Sequence, residues 1–133
     1  MSRYVYYQPN LKDIKDQTGD CQIRAWCKVF NVWWVEAFDM TIPICRELQT
    51  YTIFDSNIKQ TKEAMNRLGF DYIGISNKRG TKRPTVDSFT KDHPTGKYIL
   101  SLANHVVAVV CGKYYDTWDC GKKSLYGYYK LRE

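Results

Sequence analysis

Apolar side chains recur at helical intervals between residues 21 and 38, and after residue 97 they fall into short runs separated by turn residues. That change of period predicts helices first and a sheet afterwards, an α+β layout. Ile23, Trp26, Cys27 and Phe30 stand at i, i+3, i+4 and i+7, one face of a helix from about Cys21 to Phe30. Asp20 is placed to cap its start and Asn31 to end it. A second helix is expected from near Val32, carrying Trp33, Trp34, Ala37 and Phe38, with Pro43 kinking, interrupting or restarting it. A third follows Asp55-Ser56, with Ile58, Ala64, Met65 and Leu68 inward and Gly69 as its stop.

Asp71 to Ser76 reads as a short strand, and Thr85 to Asp92 as a short helix capped by Thr85. His93-Pro94-Thr95-Gly96 is a turn. Four strands are then expected: Lys97–Leu102, His105–Val110, Tyr114–Trp118 and Leu125–Tyr129. Turns at Cys111-Gly112-Lys113 and Cys120-Gly121-Lys122 would join the last three as an antiparallel meander. Residues 1–19 read as an extended start and a loop. No repeat or linker divides the chain, so residues 1–133 are expected to form one α+β domain, its N-terminal helices packed on a C-terminal antiparallel sheet.

Composition narrows the functional classes. A chain of 133 residues, 44% hydrophobic, can bury a core. No apolar run approaches the ~20 residues that span a bilayer, and Met1 to Gln8 has no signal-type apolar stretch. An odd cysteine count, five, points to free thiols and a cytoplasmic location. Net charge is +6, densest over Asn77 to Pro84, where Lys78, Arg79, Lys82 and Arg83 make a candidate partner contact. Nucleic acid is the weaker expectation for that patch, and a protein or peptide the stronger.

The candidate chemistry begins at Cys21. It follows Gly19-Asp20, opens the first helix, and precedes the apolar stripe that starts at Ile23. A thiol at a helix N-terminus is biased towards thiolate by the dipole and the free N–H groups. Of two histidines, His93 sits in a polar turn and reads as surface, whereas His105 opens an apolar strand. Asp116 lies on the strand after it, and a hairpin turning near Gly112 brings Asp116 opposite the start of the His105 strand. Asp is depleted in strands, and orienting a histidine would explain it there. Asp119, beside a turn, is the weaker choice. The Cys21 N–H can serve as one oxyanion donor, with the Gln17 side chain as the other and Asn10 or Gln8 in reserve. Cys27 lies on the apolar stripe, Cys45 is mid-helix or beside a kink, Cys111 and Cys120 are near turns, and no Cys-x-x-Cys spacing suggests a metal site. No cofactor is expected.

Gly19-Asp20-Cys21 before a helix, His105 at a strand start and Asp116 on the next strand resemble the papain-like cysteine peptidases, in particular the C39-like branch. The stretches Gly-Asp-Cys-x-x-Arg-Ala and His-Val-Val-Ala-Val-Val-x-Gly-x-Tyr-Tyr-Asp-Thr-Trp-Asp are also similar to small phage and prophage proteins, over Gln8 to Tyr128. The resemblance implies Cys21 as nucleophile, His105 as base and Asp116 as orienting residue of a peptidase, amidohydrolase or acyl transferase. Lys15 stands where papain-like enzymes usually carry the oxyanion Gln, and Gln22 where C39 peptidases carry Gly. The alternative expectation is an inactive phage-type scaffold that binds a host protein through surface tyrosines and the 78–83 loop.

Overall fold

The computed structural model describes residues 2–13, 19–50, 58–76, 80 and 82–132. The elements run β1 (Tyr4–Tyr6), α1 (Cys21–Phe30), α2 (Trp34–Asp39), α3 (Thr41–Leu48), α4 (Ile58–Arg67), β2 (Phe70–Gly74), α5 (Val86–Asp92), β3 (Lys97–Leu102), β4 (His105–Val110), β5 (Lys113–Asp116) and β6 (Gly127–Leu131). The class is α+β, with one six-stranded sheet in the order β1-β5-β4-β3-β6-β2.

Local chemistry accounts for most element ends. Asn31 closes α1 in the left-handed conformation, returning its N–H to the Cys27 carbonyl. Pro43 falls in the first turn of α3, where a missing N–H costs no intrahelical bond. The chain therefore restarts at Met40, between α2 and α3. Gly69, at φ +101°, stops α4. Thr85 caps α5 by accepting from Ser88 N–H, while Ser88 Oγ accepts from Thr85 N–H.

The sheet departs from the expected antiparallel meander in two places. β1 lies beside β5 in parallel, pairing Tyr4 with Tyr114 and Tyr6 with Asp116, so the sheet is mixed and the N-terminal segment belongs to it. β6 does not return beside β5 but pairs with β3 and β2. The intervening chain crosses to the far side by bonding to the start of α5: Val86 N–H to the Lys123 carbonyl, Asp87 N–H to Gly121, and Leu125 N–H to Pro84. Parallel pairing and crossovers depend on distant contacts that a local hydrophobic pattern does not carry.

Each face of the sheet is covered. Ile99, Ala108, Phe70 and Tyr129 pack against α1, α3 and α4 through Ile23, Trp26, Cys27, Ile44 and Met65. Leu100, Leu102, Val107, Val109 and Tyr114 pack on the other side with Val86 and Phe89 of α5. The strand period of two sorts these residues to the two faces. α1 is enclosed on nearly every side, burying Gln22, Ile23, Arg24, Ala25, Trp26, Cys27 and Val29. One apolar face had been expected there. A helix between a sheet and other helices must bury its polar positions too, and those need partners. Among the described residues no helix is long and apolar enough to cross a membrane.

Candidate active site

Cys21 is the first residue of α1 and is half-buried. Its thiol is in hydrogen-bonding reach of the His105 ring and of the Val106 backbone, at the start of β4. His105 Nε2 donates to Asp116 Oδ2 at 2.5 Å. A carboxylate only accepts, so this contact places the ring proton on Nε2 and leaves Nδ1 for the thiol. The structure thus brings Cys21, His105 and Asp116 together from three elements, with His105 hydrogen-bonded to Asp116.

Asp116 is held at both carboxylate oxygens and at its carbonyl. Oδ1 accepts from Thr117 N–H at 2.7 Å and faces Arg24 Nη2 at 3.5 Å. Oδ2 accepts from His105 and from the Cys120 thiol, the latter at 3.4 Å. Its carbonyl accepts from Tyr7 N–H at 2.9 Å and Tyr4 Oη–H at 3.2 Å. β1 therefore pins the backbone of the residue that orients the histidine. Trp118, 41% exposed, leans over the imidazole with ring centroids 5.0 Å apart and forms a wall of the site on the solvent side.

Electrostatics separate the groups. Burial raises the Cys21 pKa, but the His105 ring, the Val106 backbone and the charges of His105 and Arg24 outweigh it, and the thiol lies below its ordinary value. Burial alone would lower His105. Its bonds to Asp116, Cys120 and Cys21, with the Asp116 charge, push it up to about 11. Opposite shifts on neighbouring groups favour a thiolate beside an imidazolium. Cys120 goes the other way: burial, with Asp116 beside it, raises its pKa.

Several expected residues sit elsewhere. Gln17, Lys78 and Arg79 lie outside the described residues. Asn10 Nδ2 donates to Asp20 and Gln8 Nε2 to Asp13, so both reserve oxyanion donors serve the loop. The Cys21 N–H, at the first helical position, has no intrahelical acceptor and remains an available donor among the described residues. Asp20 precedes α1, but its side chain makes no cap bond. It pairs with Arg24 and accepts from Trp34 Nε1 at 2.7 Å. Asp119 does turn chemistry, accepting from Tyr114 Oη–H and Gly121 N–H. His93 is not a free surface group: it stacks on Phe89 at 3.8 Å and bonds its carbonyl through Nδ1. Lys82 is exposed, while the Arg83 guanidinium lies 4.6 Å above the Tyr126 ring.

Cys120 is a member of the site that the sequence pattern does not single out. It was read as a turn cysteine, yet it is fully buried against Asp116 and His105. The nearby Gly121 was its one local signal, because a tight turn there tucks the thiol under β5. Cys120 and Cys111, the latter exposed, are both free, as are Cys21, Cys27 and Cys45.

His105, Asp116 and Cys120 also form a donor cluster of the kind that holds metal ions, all within 4.8 Å. The geometry fits an ion poorly. Ligand atoms around zinc stand roughly 3 Å apart or more, whereas Nε2 and Oδ2 are at hydrogen-bond distance, and the Arg24 cation faces the same carboxylate. A separate groove of about 450 Å³, lined by Tyr7, Leu11, Lys28, Val32 and Trp33, lies at the opposite end of α1. A ten-residue helix puts it roughly 15 Å from Cys21, so it does not belong to this site.

No protein-family model, curated protein or solved structure matches the chain.

Proposed function

We propose that this chain is a cysteine-dependent hydrolase or acyl transferase of papain-like architecture, acting on an amide or thioester bond. The observation that carries the reading is the Cys21 thiol within reach of the His105 ring, which is itself bonded to Asp116. In this reading the Cys21 thiolate attacks the acyl carbon, and the imidazolium protonates the leaving amine or thiol. Asp116 keeps the imidazole in one tautomer throughout. The Cys21 N–H stabilises the oxyanion at the start of α1. Water, or a second nucleophile activated by the now neutral His105, then releases the acyl group. A peptide or isopeptide is the expected substrate class, with Trp118 against its apolar portion.

A generic acyl donor tests this without knowledge of the natural substrate. Incubation with p-nitrophenyl acetate is expected to give a burst of nitrophenolate and an acetyl group on Cys21, located by peptide mass. Both are expected to vanish in Cys21→Ala and slow in His105→Ala. Acetylation spread over several cysteines, or unchanged in His105→Ala, would contradict the reading.

A further inference from the structure

The stretch Gly19-Asp20-Cys21-Gln22-Ile23-Arg24 contains two charged residues that the chemistry above leaves unused. Both are buried: Asp20 is 7% exposed and Arg24 8%. A buried guanidinium is unfavourable unless it is paired and hydrogen-bonded. Arg24 is paired twice. Nη1 bonds Asp20 Oδ1, and Nη2 faces Asp116 Oδ1 at 3.5 Å. The other oxygen of Asp20 is held by Trp34 Nε1 at 2.7 Å and Asn10 Nδ2 at 3.1 Å. One guanidinium therefore joins the residue before the nucleophile to the carboxylate on β5.

We propose that Arg24 is a positioning residue for the triad. The proposal rests on the thiol chemistry above and adds what sets its geometry. Asp116 Oδ2 has two donors, His105 and Cys120, and a carboxylate free to turn could favour either. With Oδ1 engaged by Arg24 and Thr117 N–H, the plane of the carboxylate is fixed and Oδ2 stays on the imidazole. The same side chain ties Asp116 to the turn carrying Cys21, so nucleophile and orienting group move together. The fork of arginine suits this task, since two nitrogens reach two carboxylates at once, and lysine offers a single point charge. Arg24 also adds its charge to the forces that favour the Cys21 thiolate.

The test is the pH profile of iodoacetamide alkylation at Cys21 in the native protein, R24K, R24Q and the double variant D20N/R24Q. R24Q is expected to move the thiol's apparent pKa upward and to slow alkylation at pH 6 on the order of tenfold. R24K is expected to recover part of that loss. D20N/R24Q removes one anion with the cation, so the net charge of the cluster matches the native chain. A shift that survives there reports position rather than charge. Where R24Q fails to fold by near-UV circular dichroism, the charge-balanced double variant carries the same test. A folded R24Q or double variant with the native profile would overturn the inference. A native Cys21 with no lowered pKa would instead overturn the proposed function.

Discussion

Two thiols reach the same imidazole, and the fold treats them in opposite ways. Cys21 stands at the open N-terminus of α1, half-exposed, with its pKa lowered. Cys120 lies beneath β5, fully buried, with its pKa raised. Proximity to histidine therefore does not make a thiol reactive. What differs is the rest of the neighbourhood. Cys21 meets the Val106 backbone and the positive charges of His105 and Arg24, whereas Cys120 donates to a carboxylate that would repel its thiolate. The surroundings of Cys21 favour its thiolate, and those of Cys120 its neutral thiol.

The largest effect should come from removing the Cys21 thiol. Cys21→Ala is expected to abolish acetyl transfer from p-nitrophenyl acetate completely, with no acetyl on Cys120, as peptide mass would show. Transfer rescued by Cys120 would mean the two thiols are interchangeable. His105→Ala should come next, since it takes away the group both thiols share. Alkylation of Cys21 at pH 6 is expected to fall by at least about tenfold, its pH profile moving towards an ordinary thiol.

Asp116→Asn sharpens the comparison from the other side. It leaves the imidazolium without its anion and strips Arg24 of one partner. Breaking a buried charge cluster of this kind is expected to cost about 3–5 kcal/mol in urea unfolding, alongside a loss of Cys21 reactivity. A variant as stable as the native protein would show that the cluster contributes little.

How much of this was legible in the sequence follows from the range of the forces involved. α1, α5, β3 and β4 are visible because their periodicity and caps are local; β3 and β4 begin and end at the residues expected. His105 and Asp116 could be paired on paper because a short hairpin is a local geometry, whereas Cys21 joined them only through the resemblance of its helix start and of the Cys, His, Asp order to papain-like enzymes. Arg24 and Cys120 could not be placed with them. Arg24 sits on a helix read as one-faced, and only its enclosure by other elements forces the guanidinium inward to carboxylates. The role of Cys120 depends on the 117–126 segment bending back to α5 and leading on to β6 beside β3. Tyr4–Tyr6 was unreadable as a strand for the same reason: three residues gain meaning only from a parallel partner more than a hundred residues away.

Acid–base linkage gives a smaller effect. The folded His105 pKa, about 11, lies above the ordinary 6.5. Its stabilising contribution is therefore fully present below about pH 6.5 and declines as pH rises towards 11. The gap in urea midpoint between the native protein and His105→Gln should narrow over that interval, and a gap that widens with pH would reverse the assigned charge. The smallest effect is expected from Cys120→Ser, which keeps a donor for Asp116 Oδ2. Alkylation of Cys21 should stay within about twofold, because one neutral hydrogen bond replaces another of similar net strength. A large loss would promote Cys120 from buried donor to a working part of the site.

The most direct measurement is iodoacetamide labelling of the native protein across pH 5 to 9, a window spanning about two units either side of neutrality, read by mass at each of the five cysteines. The account predicts rapid labelling of Cys21 with an apparent pKa well below the ~8.5 of a free thiol, and no labelling of Cys120 while the protein stays folded. Slow labelling of Cys21, or equal labelling of Cys21 and exposed Cys111 at every pH, would contradict an activated thiol at the start of α1.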